Sequence, residues 1–451
     1  MSGNAAAITD LARLHPSRYM TFTFPNPNPS SRDTLHLCIS VLDSPFFSPE
    51  SSPSPSSPPL TAAMLVPFGR ESDWIFSTVE GHTQLMIFFS GSCSSPLSRL
   101  ILIGNTRSSF PFSCYTKPEA VGSDTSESER NLLPLLLAVC PKSAFDYGIP
   151  TVPFLRFEDD VVSLVVVEKT AGPVVGEMVV EDVEISLSSS ERLQRRRRLR
   201  FRRMPNLVQT QIRIPHHHSG ESDVTHGSTG FIVQPYLAAM ATGLCLIGPS
   251  LDEKVSQTGR RPCVLCLGVG GGGLLSFLQS QLKLDVVGIE ADEVVLSISK
   301  RYFGLVEGEF LQVHVGDGIT IVENWGKTID RFELQFDAIM VDLDSGDATT
   351  GSIAPPSEFI KPTVIAGARR ALTENGILVI NVVAPLITRN YLSGLLKNLF
   401  SDLYEIDSGN SENYVVIATT SGAVESDSCF KTKVKGIIGN NYINSMTKYY
   451  I

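Results

Sequence analysis

Dense cysteine, long apolar runs and a positive net charge are all missing from this 451-residue chain. Its eight cysteines, at positions 38, 93, 114, 140, 245, 263, 266 and 429, lack the density and spacing of a secreted disulfide scaffold, which points to a reducing compartment. No run of about 18 apolar residues is free of polar breaks. The best candidate, FIVQPYLAAMATGLCLIG from Phe231, is interrupted by Gln234, Pro235 and Thr242 and reads as a buried helix, so no membrane span is expected. The N-terminus has no basic stretch leading into an apolar one, so no secretory signal is expected and the cytoplasm is the expected location. A net charge of −10 argues against a general nucleic-acid binder, while leaving a local basic patch open.

What is present falls into regions. Residues 1–60, with NPNPSS and SPESSPSPSSPP, are expected to be a disordered Pro/Ser-rich segment, because they carry too little apolar surface to fold alone. Residues 61–215 read as a β-rich connecting domain of short apolar runs: MLVPFG, DWIFST, QLMIFF, RLILIG, VVSLVVVE and EMVVEDVEI. One stretch there, NLLPLLLAVC, is a helix candidate. The same region holds eight arginines in the twelve residues from Arg192 to Arg203. They fit either a contact with an acidic partner, RNA or an import receptor, or a strand with Leu199 and Phe201 turned inward. Residues 216–230, HHHSGESDVTHGSTG, read as a polar linker whose adjacent histidines diverge too much for a metal site.

From residue 231 to 422 strands alternate with helices. CVLCLGV, DVVGIE, FLQVHV, FDAIMVDLD and ILVINVV are expected strands. Helices are expected at GGGLLSFLQSQL, DEVVLSISKRYFG, TRNYLSGLLKNLF and SEFIKPTVIAGARRALTENG, the last with Gly376 as its stop. LYEID and YVVIATT read as an antiparallel hairpin at the sheet edge, and residues 423–451 as a C-terminal extension. Near-continuous apolar strands alternating with helices imply an α/β, Rossmann-like fold: a parallel sheet covered on both faces.

In such a sheet, ligands bind beyond the carboxyl ends of the strands. The first strand ends in Gly268-Val269-Gly270-Gly271-Gly272-Gly273, a turn shared by nicotinamide, flavin and S-adenosylmethionine proteins, and also by purely structural turns. Its Cys263 and Cys266 form a CxxC with no second pair to complete a zinc site; they read as core thiols, and no metal is expected. The second strand ends in Glu290, placed to accept ribose hydroxyls. The third ends in Gly316-Asp317-Gly318, where Asp317 is either an acceptor for an adenine amino group or the N-cap of the next helix. The fourth ends in Asp342-Leu343-Asp344, carboxylates beside the reacting end of a ligand.

This set, over residues 231 to 420, resembles the seven-stranded S-adenosylmethionine-dependent methyltransferases, in particular the spermidine-synthase-like branch. DLDSGDATTGSIAPPSEF (342–359) is similar to the strand-four loop of the methyltransferase-like family that modifies translation elongation factor 1-alpha on a lysine and on its N-terminus. LVPFGRESDWIFSTVEGHTQL from Leu65, VVEDVE from Val179 and RRLRFRRMPNLVQTQIRI from Arg197 resemble that family's connecting region, which favours the strand reading of the arginines. The arginine run and Ser188–Ser190 depart from the pattern. No glycine-rich turn precedes Leu65, so the resemblance covers the connecting region and the second methyltransferase domain, and the lysine activity is expected to be absent.

The resemblance implies S-adenosylmethionine as cofactor, with Gly268, Gly270 and Gly271 flanking its methionine part, Glu290 its ribose, and Asp317 with Gly318 its adenine. Asp342 and Asp344 become the catalytic candidates for methylating the α-amine of elongation factor 1-alpha, with Asp342 also counted among the cofactor-binding residues. Gln234 and Tyr236 are weaker candidates for the substrate entry or ordinary helix residues. The alternatives are a spermidine-synthase-like aminopropyltransferase, a catalytically inactive binding module and a dehydrogenase. The first is disfavoured by the long strand-four loop, the last by the lack of a hydride-acceptor site.

Overall fold

The computed structural model describes residues 10–27, 35–45, 59–92, 97–106, 113–118, 125–186, 193–214, 233–327, 335–346, 353–384, 386–409, 413–422 and 427–449. The chain forms two compact units. Unit 1 comprises Met1–Glu168, Glu181–Gln194 and Arg202–Leu207; unit 2 comprises Lys169–Val180, Arg195–Phe201 and Val208–Ile451. The strands up to residue 213 are β1 (Tyr19–Pro25), β2 (His36–Asp43), β3 (Leu60–Leu65), β4 (Leu97–Asn105), β5 (Cys114–Thr116), β6 (Phe154–Leu155), β7 (Val161–Gly172), β8 (Gly176–Ser186), β9 (Leu193–Phe201) and β10 (Val208–Arg213). Helices α1 (Val79–Ser92) and α2 (Thr125–Ala138) lie between them in sequence.

Unit 1 contains a sheet of order β1-β2-β4-β3-β6, in which β1, β2 and β4 pair antiparallel and β3 runs parallel to β4 and β6. Two strands therefore occupy the segment expected to be disordered. The Pro/Ser-rich stretches outweigh them in composition, yet YMTFTFP places Met20, Phe22 and Phe24 on one face against Ile39, Val41 and Leu136, the period-2 burial that makes a strand. The strongest Pro/Ser stretch, 46–58, lies outside the described residues.

QLMIFF and DWIFST also depart from expectation. Both are helical: Asp73 caps Trp74–Ser77 by accepting from the Ile75 amide, and QLMIFF lies within α1. Only Ile87 of that run is β-branched, and an apolar run of this length does not by itself distinguish strand from buried helix. Leu85, Met86 and Phe89 pack with Ile75 and Phe76. NLLPLLLAVC does supply a helix, α2, which buries Leu132, Leu135 and Leu136.

A second sheet has the order β10-β9-β8-β7-β5. Its β9 carries the arginines. Leu199 and Phe201 are buried beside Val295, Ile298 and Phe303 of unit 2, as the strand reading expects, but Arg200 is buried as well. Residues 216–230, read as a linker, lie outside the described residues.

The rest of unit 2 comprises α3 (Pro235–Gly243), α4 (Gly248–Thr258), β11 (Cys263–Leu267), α5 (Gly273–Ser280), β12 (Asp285–Glu290), α6 (Glu293–Tyr302), β13 (Leu311–Val315), α7 (Gly318–Lys327), β14 (Phe336–Val341), α8 (Pro362–Ala371), β15 (Leu372–Val382), α9 (Leu386–Lys397), β16 (Asp402–Asp407), β17 (Tyr414–Thr419), α10 (Cys429–Ile438) and β18 (Thr447–Lys448). The sheet order is β13-β12-β11-β14-β15-β17-β16-β18. β11 to β15 are parallel, and β17 enters antiparallel between β15 and β16. Numbered from β11, this is the Rossmann-like order 3-2-1-4-5-7-6 of the seven-stranded methyltransferases, with β18 added outside.

One core, with Val264, Cys266 and Met340, lies on one face, and another, with Leu265, Ile339 and Val341, on the other. That two-sided covering explains why FDAIMV is buried at every position; each large side chain so buried stabilises the fold by roughly 1.5–3 kcal/mol. Two boundaries differ from expectation. The helix before strand five ends at Ala371, and Gly376 lies inside β15, where the register against β14 shifts between Phe336 and Ala338. The C-terminal residues are part of the domain: Phe430 and Val434 of α10 enter the core, and β18 pairs with β16. No described helix is long and apolar enough to cross a membrane.

Candidate active site

The site is built where β11 stops. Gly268, Gly270 and Gly272 all have positive φ, of 84°, 52° and 78°. A Cβ on Gly268 would sit 2.1 Å from the Asp342 carbonyl oxygen, and one on Gly271 2.5 Å from the Thr210 side chain. The turn is glycine because strand four and β10 approach its backbone from both sides. Gly270 differs: its nearest neighbour is the Gln209 carbonyl, 3.9 Å from where a Cβ would be, so backbone there borders open space.

Glu290 fastens this turn. Its Oε2 accepts from the amides of Val269 (3.1 Å) and Gly270 (3.2 Å), and its Oε1 from the amide of Asp292 (3.1 Å). Three of about four acceptor positions are thereby used, leaving room for one further donor. Burial pushes the carboxyl above its usual range; the three amides oppose this and the charge of Asp344 adds to it. Asp292 caps α6 through Val294 and, with its other oxygen, accepts from the amides of Val174 and Val175, both at 2.9 Å.

Asp317 adopts the helix-capping arrangement. Its Oδ1 accepts from the Ile319 amide at 3.0 Å, its Oδ2 takes the Thr320 hydroxyl, and the residue is exposed. Val315 pairs with Glu290, so Asp317 lies beyond the same end of the sheet.

Asp342 is the centre of a chain of hydrogen bonds. The Asn381 amide group donates to Oδ1 at 2.9 Å, the Tyr236 hydroxyl donates to Oδ2 at 3.1 Å, and the Asn413 amide group donates to Asn381 Oδ1 at 3.0 Å. Burial raises the Asp342 carboxyl above its usual range, its two donors pull it down, and Asp344 pushes it up. Tyr236 is held well above an ordinary phenol by burial and by Asp342, so it remains a donor. Asp344 accepts from the Gln209 side chain at 3.3 Å. Gln234, by contrast, donates to the Val208 carbonyl at 3.0 Å and so ties α3 to β10.

Asn381, Asn413, Gln209 and Thr210 escape the reading of strand ends. Asn381 carried a signal, being the one polar residue in ILVINVV; Gln209 sits where the β9–β10 register shifts, which sequence does not reveal. The CxxC thiols are core: Cys266 is buried, and burial pushes Cys263 up to about 12, far from a reactive thiolate.

The carboxylates Glu290, Asp317, Asp342 and Asp344 thus gather at the strand ends around the glycine turn. The spermine/spermidine synthase domain profile matches residues 257–408, from the end of α4 to just past β16. The chain is 28% identical over 387 residues to the eEF1A lysine and N-terminal methyltransferase of Danio rerio, covering 78% of this chain and 50% of that protein. It is 26% identical over 401 residues to its Homo sapiens counterpart, covering 83% and 51%. It also aligns with a crystal structure of human methyltransferase-like protein 13 in complex with SAH at 22% identity and a TM-score of 0.40, over 46% of this chain and 92% of that one. The chain spans about half the length of the curated relatives it matches. Residues 257–408 are thus similar to the spermine/spermidine synthase domain and have a Rossmann-like α/β fold, in a chain similar over most of its length to eEF1A lysine and N-terminal methyltransferases.

Proposed function

We propose that unit 2 transfers a methyl group from S-adenosylmethionine to a protein amine, the N-terminal α-amine of translation elongation factor 1-alpha. The observation that carries this reading is Asp342: a carboxylate at the end of strand four, fixed by Tyr236 and Asn381 and held above its usual range by burial. The residues present suit the cofactor. Gly270 offers side-chain-free backbone for its methionine part, next to Gly268, whose own side-chain position is taken by strand four, and Glu290 keeps one acceptor position for a ribose hydroxyl. Asp317 and Gly318 stand at the next strand end for the adenine, although Asp317 must then share its carboxylate with the α7 cap.

When bound, S-adenosylmethionine supplies a methyl already attached to a sulfonium leaving group. The protein's task is therefore alignment and proton removal. An α-amine, with a pKa of roughly 7.7–8.0, is mostly protonated near neutrality, and Asp342 takes the proton that frees the nitrogen lone pair. Tyr236 and Asn381 fix the orientation of that carboxylate, and Asp344 adds negative charge that favours both a cationic amine and a sulfonium.

The test is mass spectrometry of elongation factor N-terminal peptides incubated with S-adenosylmethionine and either the wild-type chain or Asp342→Ala. A 14 Da ladder on the α-amine is expected with wild type, roughly 10²–10⁴-fold slower with the variant. Unmodified peptides with both would overturn the substrate assignment. The domain profile also favours a second reading, aminopropyl transfer to a polyamine. Offering decarboxylated S-adenosylmethionine and putrescine separates the two: spermidine formed without peptide methylation would establish the second.

A further inference from the structure

Unit 1 contains a cavity of about 400 Å³ unrelated to the methyltransferase site. It lies on one face of β1, β2 and β4. The opposite face is an ordinary core, with Met20, Phe22, Phe24, Ile39, Val41 and Ile103 packed beneath α2. On the cavity face the lattice of residues begins apolar, with Leu42, Leu100 and Leu102, and then changes character. Thr21 pairs with Ser40 and Ser40 with Leu102; Thr23 pairs with Cys38 and Cys38 with Gly104. Two successive rungs thus replace large apolar side chains with hydroxyls, a thiol and a glycine, and the space they leave is the cavity.

Glu71 closes it. A Cβ on Gly104 would meet Glu71 Cγ at 3.1 Å, so the glycine is what lets this side chain lie across the strand. Backbone amides of Gly69, Glu71 and Asn105 and the Asn105 side chain hold its carboxylate in place, and burial raises it above its usual range. Among the described residues that line the cavity it is the one carboxylate, and none of them is basic. Two described basic residues nearby are engaged or neutral. Arg70 is buried between Asp73 (2.8 Å) and Asp159 (2.9 Å), and His82, whose ring meets the Tyr19 ring edge-on, is pushed down to about 3 by burial. A half-buried carboxylate held by amides thus shares one cavity with the hydroxyls of Thr21 and Ser40 and the apolar side chains of Phe76 and Leu102, a setting that suits an organic cation.

We propose that this cavity binds an organic cation, an ammonium or guanidinium on a short aliphatic stem, with Glu71 as the counter-charge. The charged head sits among Glu71, Thr21 and Ser40, and the stem lies against Phe76 and Leu102. The cation is either a free small amine or the side chain of a basic residue in a peptide. This inference is independent of the methyl-transfer reading.

Calorimetric titration of the full chain with n-butylammonium, with N-butylguanidinium and with n-butanol as the uncharged isostere tests it, alongside a short lysine-containing peptide. Saturable binding of at least one cation and none of butanol is expected, weakened about tenfold or more in Glu71→Gln, whose thermal melt should match wild type. Tighter binding of the peptide than of butylammonium would identify a polypeptide side chain as the source, and the reverse a small amine. Butanol binding as tightly as the cations, no binding of any cation at millimolar concentration, or equal affinity in folded Glu71→Gln would overturn the proposal. The butanol comparison decides on wild-type protein alone should Glu71→Gln fail to fold.

Discussion

In unit 1, Asp43 and Asp73 are buried in opposite-sign pairs; in unit 2, the strand-end carboxylates Glu290 and Asp342 are held by neutral donors. In unit 1, Asp43 and Arg99 are both fully buried and meet at 2.6 Å, and Arg18 reaches the same carboxylate at 2.8 Å. Arg99 spends its remaining donors on the carbonyls of Leu11, Arg13 and Val139. Arg70 is divided between Asp73 and Asp159. In unit 2, Glu290 is met by three backbone amides and Asp342 by an amide and a phenol, and the charge of Asp344 acts on both. A paired charge is finished and serves the fold. A carboxylate held by neutral donors keeps its negative charge available to a ligand, at a cost in desolvation that the fold must offset elsewhere.

The largest effect should come from breaking a finished pair. Asp43→Ala strands the Arg99 guanidinium without a counter-charge in the core of unit 1, and a loss of about 3–5 kcal/mol is expected in equilibrium urea unfolding. Replacing both partners with apolar residues, Asp43→Leu with Arg99→Met, should recover part of that loss, because the buried Arg99 charge is gone while the outer Arg18 still loses its Asp43 partner. If the double variant is no better than the single one, the carbonyl contacts of Arg99 matter more than its ion pair.

The second test concerns the donors of unit 2. Asn381→Ala removes the group that donates to Asp342 and accepts from Asn413, so the carboxylate loses one of its two fixed donors. About a tenfold fall in kcat is expected, with S-adenosylmethionine affinity measured by calorimetry unchanged, since the donor positions Asp342 and the cofactor contacts lie elsewhere. A parallel loss of cofactor affinity would mean that Asn381 supports the fold of the strand end rather than the orientation of Asp342.

The difference between the units also explains what the sequence made legible. Unit 2 was readable because its function hangs on strand ends, and a strand buried on both faces is a long apolar word with a polar full stop: CVLCLG, DVVGIE and FDAIMVDLD each announce their last residue. Asp342 and Glu290 could be named for that reason. Their partners could not. Asn381 and Asn413 meet Asp342 through pairing between strands far apart in sequence, and Gln209 reaches Asp344 across 135 residues. In unit 1 the same limits were more damaging. QLMIFF gave no period to separate helix from strand, and the alternation in YMTFTFP was outweighed by the Pro- and Ser-rich stretches that follow. Asp317 shows a further limit: a strand-end carboxylate has the same spelling whether it waits for a ligand or caps the next helix.

The smallest and most specific effect comes from Asp344. The Asp342 carboxyl is raised first by burial; Asn381 and Tyr236 draw it down, and the like charge of Asp344 draws it up. Asp344→Asn deletes that last contribution while keeping an oxygen to accept from Gln209. Asp342 should then release its proton at lower pH. If ionised Asp342 is the base, the acid limb of kcat/KM moves to lower pH in Asp344→Asn, with the activity at the plateau little changed. Stability follows the same sign. A carboxyl whose folded-state pKa is raised contributes stability below its unfolded pKa and loses it as pH rises through the folded one, so the variant should lose less stability on going from acid to neutral pH than wild type. An acid limb that stays in place, or moves upward, would show that Asp342 is not the group whose ionisation limits the reaction.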